Sequence, residues 1–141
     1  MNIEGKWKGY YEYGIGYQLP FFGSRVEIEV DFKVDNDENI TGTISETPSD
    51  FSVNTEATIK GFIDQSLISF IKSYPFYPMI DPENNKIEFE DGALDIQHTG
   101  FIDKENKAIY GEWLIEEKFI NEEGQNDISY ETGTWLVRRI D

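Results

Sequence analysis

Arg25-Val26-Glu27-Ile28-Glu29-Val30-Asp31-Phe32-Lys33-Val34 alternates without a break between charged and apolar side chains. Successive side chains of a β-strand point to opposite faces, so Val26, Ile28, Val30, Phe32 and Val34 share one face and the charges share the other. A helix would scatter both sets around its circumference. The segment is therefore a strand with one dry face and one wet face, the building unit of an all-β domain.

Weaker copies of the pattern predict strands near 3–13, 24–34, 39–46, 56–63, 67–74, 93–102, 107–117 and 129–140, filled with β-branched and aromatic residues. No window shows a helical period, so strands without helical crossovers must pair antiparallel. The segments 35–39, 64–66 and 103–106 are short and polar, as tight turns require. They alternate with longer connections at 14–23, 47–55, 75–92 and 118–128. Short and long connections in alternation place all tight turns at one end of a meander and all long loops at the other. A closed barrel with a plain base and an elaborated mouth has this form. The expected fold over residues 1–141 is one all-β domain, an antiparallel up-and-down β-barrel of about eight strands. The segment Lys86–Leu94 could form a hairpin on Asp91-Gly92. If its first limb joined the wall, the barrel would have nine or ten strands. A short strand on the lip of the long loop is the preferred reading.

All three tryptophans stand two residues after a glycine, as Gly5-Lys6-Trp7, Gly111-Glu112-Trp113 and Gly133-Thr134-Trp135. Residues two apart share a face, so each glycine is expected to leave a gap beside its own indole. Small beside large is how a narrow barrel fills its interior. Gly5-x-Trp7 on the first strand and Arg138-Arg139 near the end of the last resemble the calycins, the lipocalin-like and avidin-like barrels. The run His98-Thr99-Gly100-Phe101-Ile102-Asp103, followed by Gly111-Glu112-Trp113-Leu114-Ile115, resembles the later strands of avidin-like proteins. The resemblance implies a barrel whose base is closed by Trp7 packed under a basic residue. Parity makes Arg139 that residue, because it shares a face with Trp135 and Val137. The polar set with which avidin-like proteins hold biotin has no match, so biotin is not implied.

The chain has 141 residues, no cysteine and a net charge of −16. The charge repels phosphate backbones and anionic lipids, which argues against nucleic-acid and membrane partners. The first residues lack a basic segment followed by an apolar run, so a cytoplasmic protein is expected. No cofactor and no metal is expected. Asp35-Asn36-Asp37-Glu38-Asn39-Ile40-Thr41 starts like a calcium loop, but Ile40 stands where the sharp turn needs glycine. No nucleophile-elbow, phosphate-loop or zinc-protease motif occurs, so catalysis is not expected.

Inward parity and position toward the mouth select candidate ligand-binding residues: Tyr11, Tyr13, His98, Trp113 and Trp135 from the strands. Tyr17, Phe21, Phe22 and Tyr77 come from two unusually apolar loops, 14–23 and 74–80. These loops could act as a lid, as an interface or as plain cover. The leading expectation is a binding protein holding a small apolar or aromatic ligand in the barrel mouth. The alternative is an acidic interaction module, of inhibitor or immunity type, that binds a basic protein partner. Self-association into a homo-oligomer is a third expectation.

Overall fold

The computed structural model describes residues 2–140. Ten strands run in order: β1 (Gly5–Tyr13), β2 (Arg25–Val34), β3 (Asn39–Glu46), β4 (Ala57–Asp64), β5 (Leu67–Tyr74), β6 (Tyr77–Ile80), β7 (Ile87–Glu90), β8 (Leu94–Asp103), β9 (Ala108–Ile120) and β10 (Asn126–Arg139). Eight of them close into one antiparallel barrel in the circular order β1-β10-β9-β8-β5-β4-β3-β2. Each wall strand is hydrogen-bonded to the next wall strand in sequence, and β10 closes on β1 through pairs from Trp7–Arg139 to Tyr13–Gly133. Among the described residues no helix is long and apolar enough to cross a membrane.

The alternation in β2 is realised as read. Val26, Ile28, Val30 and Phe32 are buried and the residues between them face outward. Each such side chain contributes about 1.5–3 kcal/mol on leaving water. A register slip by one residue would exchange the two faces, so the pairing of β2 with both neighbours is firmly set. The tight turns at 35–38, 65–66 and 104–107 lie at one end with Asn2 and Ile140, and the connections 14–24, 47–56 and 75–93 lie at the other.

Two details differ from the sequence reading. Residues 87–90 are a short strand outside the wall, as preferred, and the wall keeps eight strands, but β7 pairs with β6 in a separate ribbon with Tyr77 opposite Glu90 and Ile80 opposite Ile87. The partner of residues 87–90 therefore lies upstream, and the hairpin turns over 81–86 rather than on Asp91-Gly92. The connection expected at 118–128 is mostly strand, because β9 and β10 continue as a paired ribbon and turn only at 121–125. Beyond the rim that ribbon has no dry side. Phe119, Ile120 and Ile128 are all exposed there, so no period-two burial pattern marks it as strand.

At the base, Trp7 is fully buried and its Nε1 donates to the carbonyl of Ile3 at 2.8 Å. The Arg139 guanidinium lies 5.2 Å from the Trp7 ring centroid and donates to the carbonyls of Asn2 at 2.8 Å and Glu4 at 2.5 Å. Arg139 thus ties the N-terminal segment across the bottom of the barrel and covers the indole as a cation over a π-face.

The glycine–tryptophan pairs work differently from the expected same-strand gap. Trp113 of β9 fills a gap on the neighbouring β10, and Trp135 of β10 reaches past β9 to a gap on β8. A Cβ on Gly133 would fall 2.3 Å from the Trp113 ring, and one on Gly100 would fall 2.7 Å from the Trp135 ring. Gly133 is the cross-strand partner of Trp113, so sequence spacing coincided with a register relation. Gly133→Ala is expected to cost about 1–3 kcal/mol through overpacking, read as a lower urea midpoint with an unchanged slope. Unchanged stability would show that both the Trp113 ring and the Glu12 carbonyl, 2.0 Å from the same Cβ, can give way freely.

Candidate functional site

The barrel interior is packed in its lower half and open in its upper half. Phe32, Phe70, Trp135 and Trp7 fill the base through edge-on aromatic contacts. Above them lies a cavity of about 410 Å³, within the size range of small-molecule sites. Its walls are the tyrosines 11, 13, 17, 74 and 77 with Phe21 and Trp113, interleaved with aliphatic side chains such as Leu94, Ile96 and Ile115. The β6–β7 ribbon forms part of the rim with Pro78, Met79, Ile80 and Ile87.

Seven of the nine residues expected at the site line this cavity: Tyr11, Tyr13, Tyr17, Phe21, Tyr77, His98 and Trp113. Phe22 and Trp135 do not. The turn that tucks Phe21 inward leaves Phe22 half exposed on the outside. Trp135 faces inward but one step nearer the base, since it pairs with Gly111 whereas Trp113 pairs with Gly133. Its Nε1 donates to the carbonyls of Thr99 and Glu112, each at 3.2 Å, and its ring packs on Phe70 and His98 beneath the cavity floor.

The apolar loop 14–24 is divided between the two environments. Tyr17 and Phe21 pack on Tyr13 with ring centroids 4.8 and 5.3 Å away. Ile15 and Leu19 are exposed. Gly14 donates to Thr132 and Thr132 donates back to Ile15, both at 2.8 Å. A Cβ on Gly16, whose φ is +104°, would come within 2.6 Å of the Tyr130 carbonyl. These glycines let the loop lie against β10, so close approach rather than hinge motion accounts for them.

Sequence reading missed the polar centre of the site. Lys72 of β5 is buried, and its Nζ lies 3.5 Å from Oε2 of Glu46, whose side chain is fully enclosed. The Glu46 carboxylate also accepts from the Tyr11 hydroxyl at 2.7 Å, from the Val53 amide at 2.8 Å and from the Tyr74 hydroxyl. The Lys72 ammonium sits over two aromatic faces, 4.6 Å from the Tyr11 centroid and 4.7 Å from that of Tyr74. Burial of an ion pair carries a desolvation cost that attraction offsets only when the remaining polar atoms are satisfied. Here two hydroxyls, an amide and two π-faces satisfy them. The amide comes from the 47–56 connection, which folds inward over the rim and also supplies the Phe51 carbonyl that accepts from Tyr13 at 2.6 Å. Burial raises the Tyr11 and Tyr74 pKa values well above the ordinary phenol range, so both hydroxyls act as donors. Burial likewise lowers the Lys72 pKa, opposed by the Glu46 charge.

His98 is buried, stacked on Phe70 at 4.7 Å, and its pKa is lowered to about 3 by burial and then by the Lys72 charge. Its Nδ1 lies 3.2 Å from the Ile96 carbonyl, which can only accept. The ring is therefore neutral with its proton on Nδ1, and Nε2 is left as an acceptor. Near the rim, Glu117 accepts from the Tyr77 hydroxyl. The Glu131 carboxyl is pushed up by burial and by the Glu117 charge, opposed by the nearby Tyr17 hydroxyl. Trp113 completes the wall, and among the described residues its buried Nε1 has no acceptor.

Among the described residues no group of three or more His, Cys, Asp and Glu side chains could hold a metal ion. The site offers aromatic faces, a neutral imidazole acceptor, an unused indole donor and a matched ion pair. Such a set is suited to enclosing a small molecule and orienting it by a few polar contacts. The chain matches no protein-family model and no curated protein.

Proposed function

We propose that this protein binds a small apolar or aromatic molecule in the mouth of the barrel. The observation that carries this reading is the open upper half. A barrel serving only as a scaffold gains stability by filling its interior, and unfilled volume costs packing energy. The packed base supplies that stability, and the space above it is walled by rings whose polar edges are mostly committed to fixed partners. A ligand would enter between the 14–24 loop and the β6–β7 ribbon and lie against Trp113 and Tyr11. The resemblance to calycin barrels, which hold ligands in the same place, supports the assignment, and a cytoplasmic setting accords with it.

A neutral aromatic probe, N-phenyl-1-naphthylamine, tests the reading. Its emission is expected to rise on binding while tryptophan emission falls by energy transfer. Leu94→Trp, which places an indole in the cavity, is expected to abolish both changes while the circular dichroism of the barrel persists. Equal probe binding by the filled variant would overturn the assignment.

A second reading rests on the exposed rim, where Ile15 is 75% and Leu19 80% accessible on a protein of charge −16. An acidic module that docks a basic protein partner would use this rim. Its association rate would then fall steeply with added salt.

A further inference from the structure

We propose that the ligand of this cavity is an organic cation, an amine joined to an apolar or aromatic body, whose ammonium group sits between Glu117 and Glu131. The inference rests on the small-molecule reading above and specifies its chemistry.

Charge among the cavity residues is unbalanced. Among the described residues Lys72 is the only lysine or arginine lining the cavity, and Glu46 already matches it. Glu117 and Glu131 also line the cavity, and among the described residues neither has an ion-pair partner. The two carboxylates are neighbours on the inward face. Glu131 is paired across the ladder with Ile115, and Glu117, two residues further along β9, is paired with Ser129. Like charges in this diagonal relation repel, and the repulsion grows as water is excluded. Two such carboxylates without a counter-charge are an unfavourable arrangement. A cation placed between the carboxylates relieves it, whereas an anion would meet two like charges and a lysine already paired.

The remaining walls fit the same ligand. The Tyr77 hydroxyl donates to Glu117 and holds its carboxylate in place. The rings of Tyr13, Tyr17 and Trp113 pack within 6.1 Å of one another and supply π-faces below the carboxylates. Carboxylates beside aromatic faces are the recurrent solution for binding ammonium groups, because the charge and the ring quadrupole act together. The cavity already holds one ammonium in this manner: Lys72 lies between Tyr11, Tyr74 and Glu46. The apolar body would extend toward Ile96, Ile115 and His98.

Isothermal titration with three ligands of one skeleton tests the proposal: a naphthyl-ethylamine, the matching naphthyl-ethanol and the matching naphthyl-propanoate. The amine is expected to bind at least about ten-fold more tightly than the alcohol, and the carboxylate most weakly. The double variant Glu117→Gln, Glu131→Gln is expected to remove the advantage of the amine while leaving the alcohol unchanged, which also shows that the variant is folded. Equal affinity of the alcohol or the carboxylate with the amine would overturn the cationic class and leave the cavity reading intact. Absence of binding by all three ligands would overturn both.

Discussion

Lys72→Met is expected to cost about 3–5 kcal/mol of folding stability, because it leaves the Glu46 carboxylate enclosed without its counter-charge. Methionine can fill the slot between the two tyrosine rings, so little of the loss comes from packing. The double variant Lys72→Met, Glu46→Gln should recover more than half of it, since the neutral amide oxygen can still accept from Tyr11, Tyr74 and Val53. Urea denaturation of the two single variants, the double variant and the parent forms a complete cycle that isolates the coupling. If Lys72→Met were as stable as the parent, the pair would contribute no more than an exposed one, and the site would have to be more hydrated than its enclosure indicates.

The second large effect concerns acid. The His98 ring has its pKa lowered from 6.5 to about 3, first by burial and then by Lys72. Between these two values the unfolded chain takes up a proton that the native ring refuses. Stability linked to His98 is therefore fully present above about pH 6.5 and is lost as pH falls, by about 1.4 kcal/mol per pH unit. His98→Gln has no such linkage. The stability of the parent relative to this variant should fall by about 2 kcal/mol between pH 6.5 and pH 4.5. Easing of repulsion across the acidic surface acts on both proteins and cancels in the difference. Parallel pH profiles would show that the imidazole is protonated in the folded state and that the cavity floor is wet.

Legibility of the sequence differed sharply between wall and site. β2 declared itself because every inward residue is apolar and every outward residue charged. The base was read through the resemblance of Gly5-x-Trp7 and the terminal arginines to calycin barrels, with parity choosing Arg139, and pairing of β1 with β10 brings the two residues together. The polar centre was encoded by the same parity and overlooked. Ile68, Phe70, Lys72 and Tyr74 form one inward row of β5, and Ile40, Gly42, Ile44 and Glu46 form one inward row of β3. In β5 the outward Ile71 blurs the alternation and makes a lysine look like the solvent-facing residue. A charged residue at each of two inward positions is a signal for a buried pair, provided the barrel is assumed first. Phe21 and Phe22 could not be separated from sequence, because a loop has no period from which to assign direction. The difference in height between Trp113 and Trp135 required the register of β9 on β10, which the spacing of the glycines alone does not give.

Closure of β1 on β10 also bears on the behaviour of the protein at high concentration. A continuous ring of strands has no terminal strand to which another chain can add, so the wall offers no template for fibre growth. One exception among the described residues is where β9 outruns β8: their pairing stops at Gln97–Leu114, and from Ile115 onward β9 has a ladder only with β10. Its outer backbone groups are open there, next to the exposed Phe119 and Ile120. The outward charges of Glu116 and Lys118 stand at that margin and disfavour the docking of a further strand, as charged side chains do along natural sheet edges.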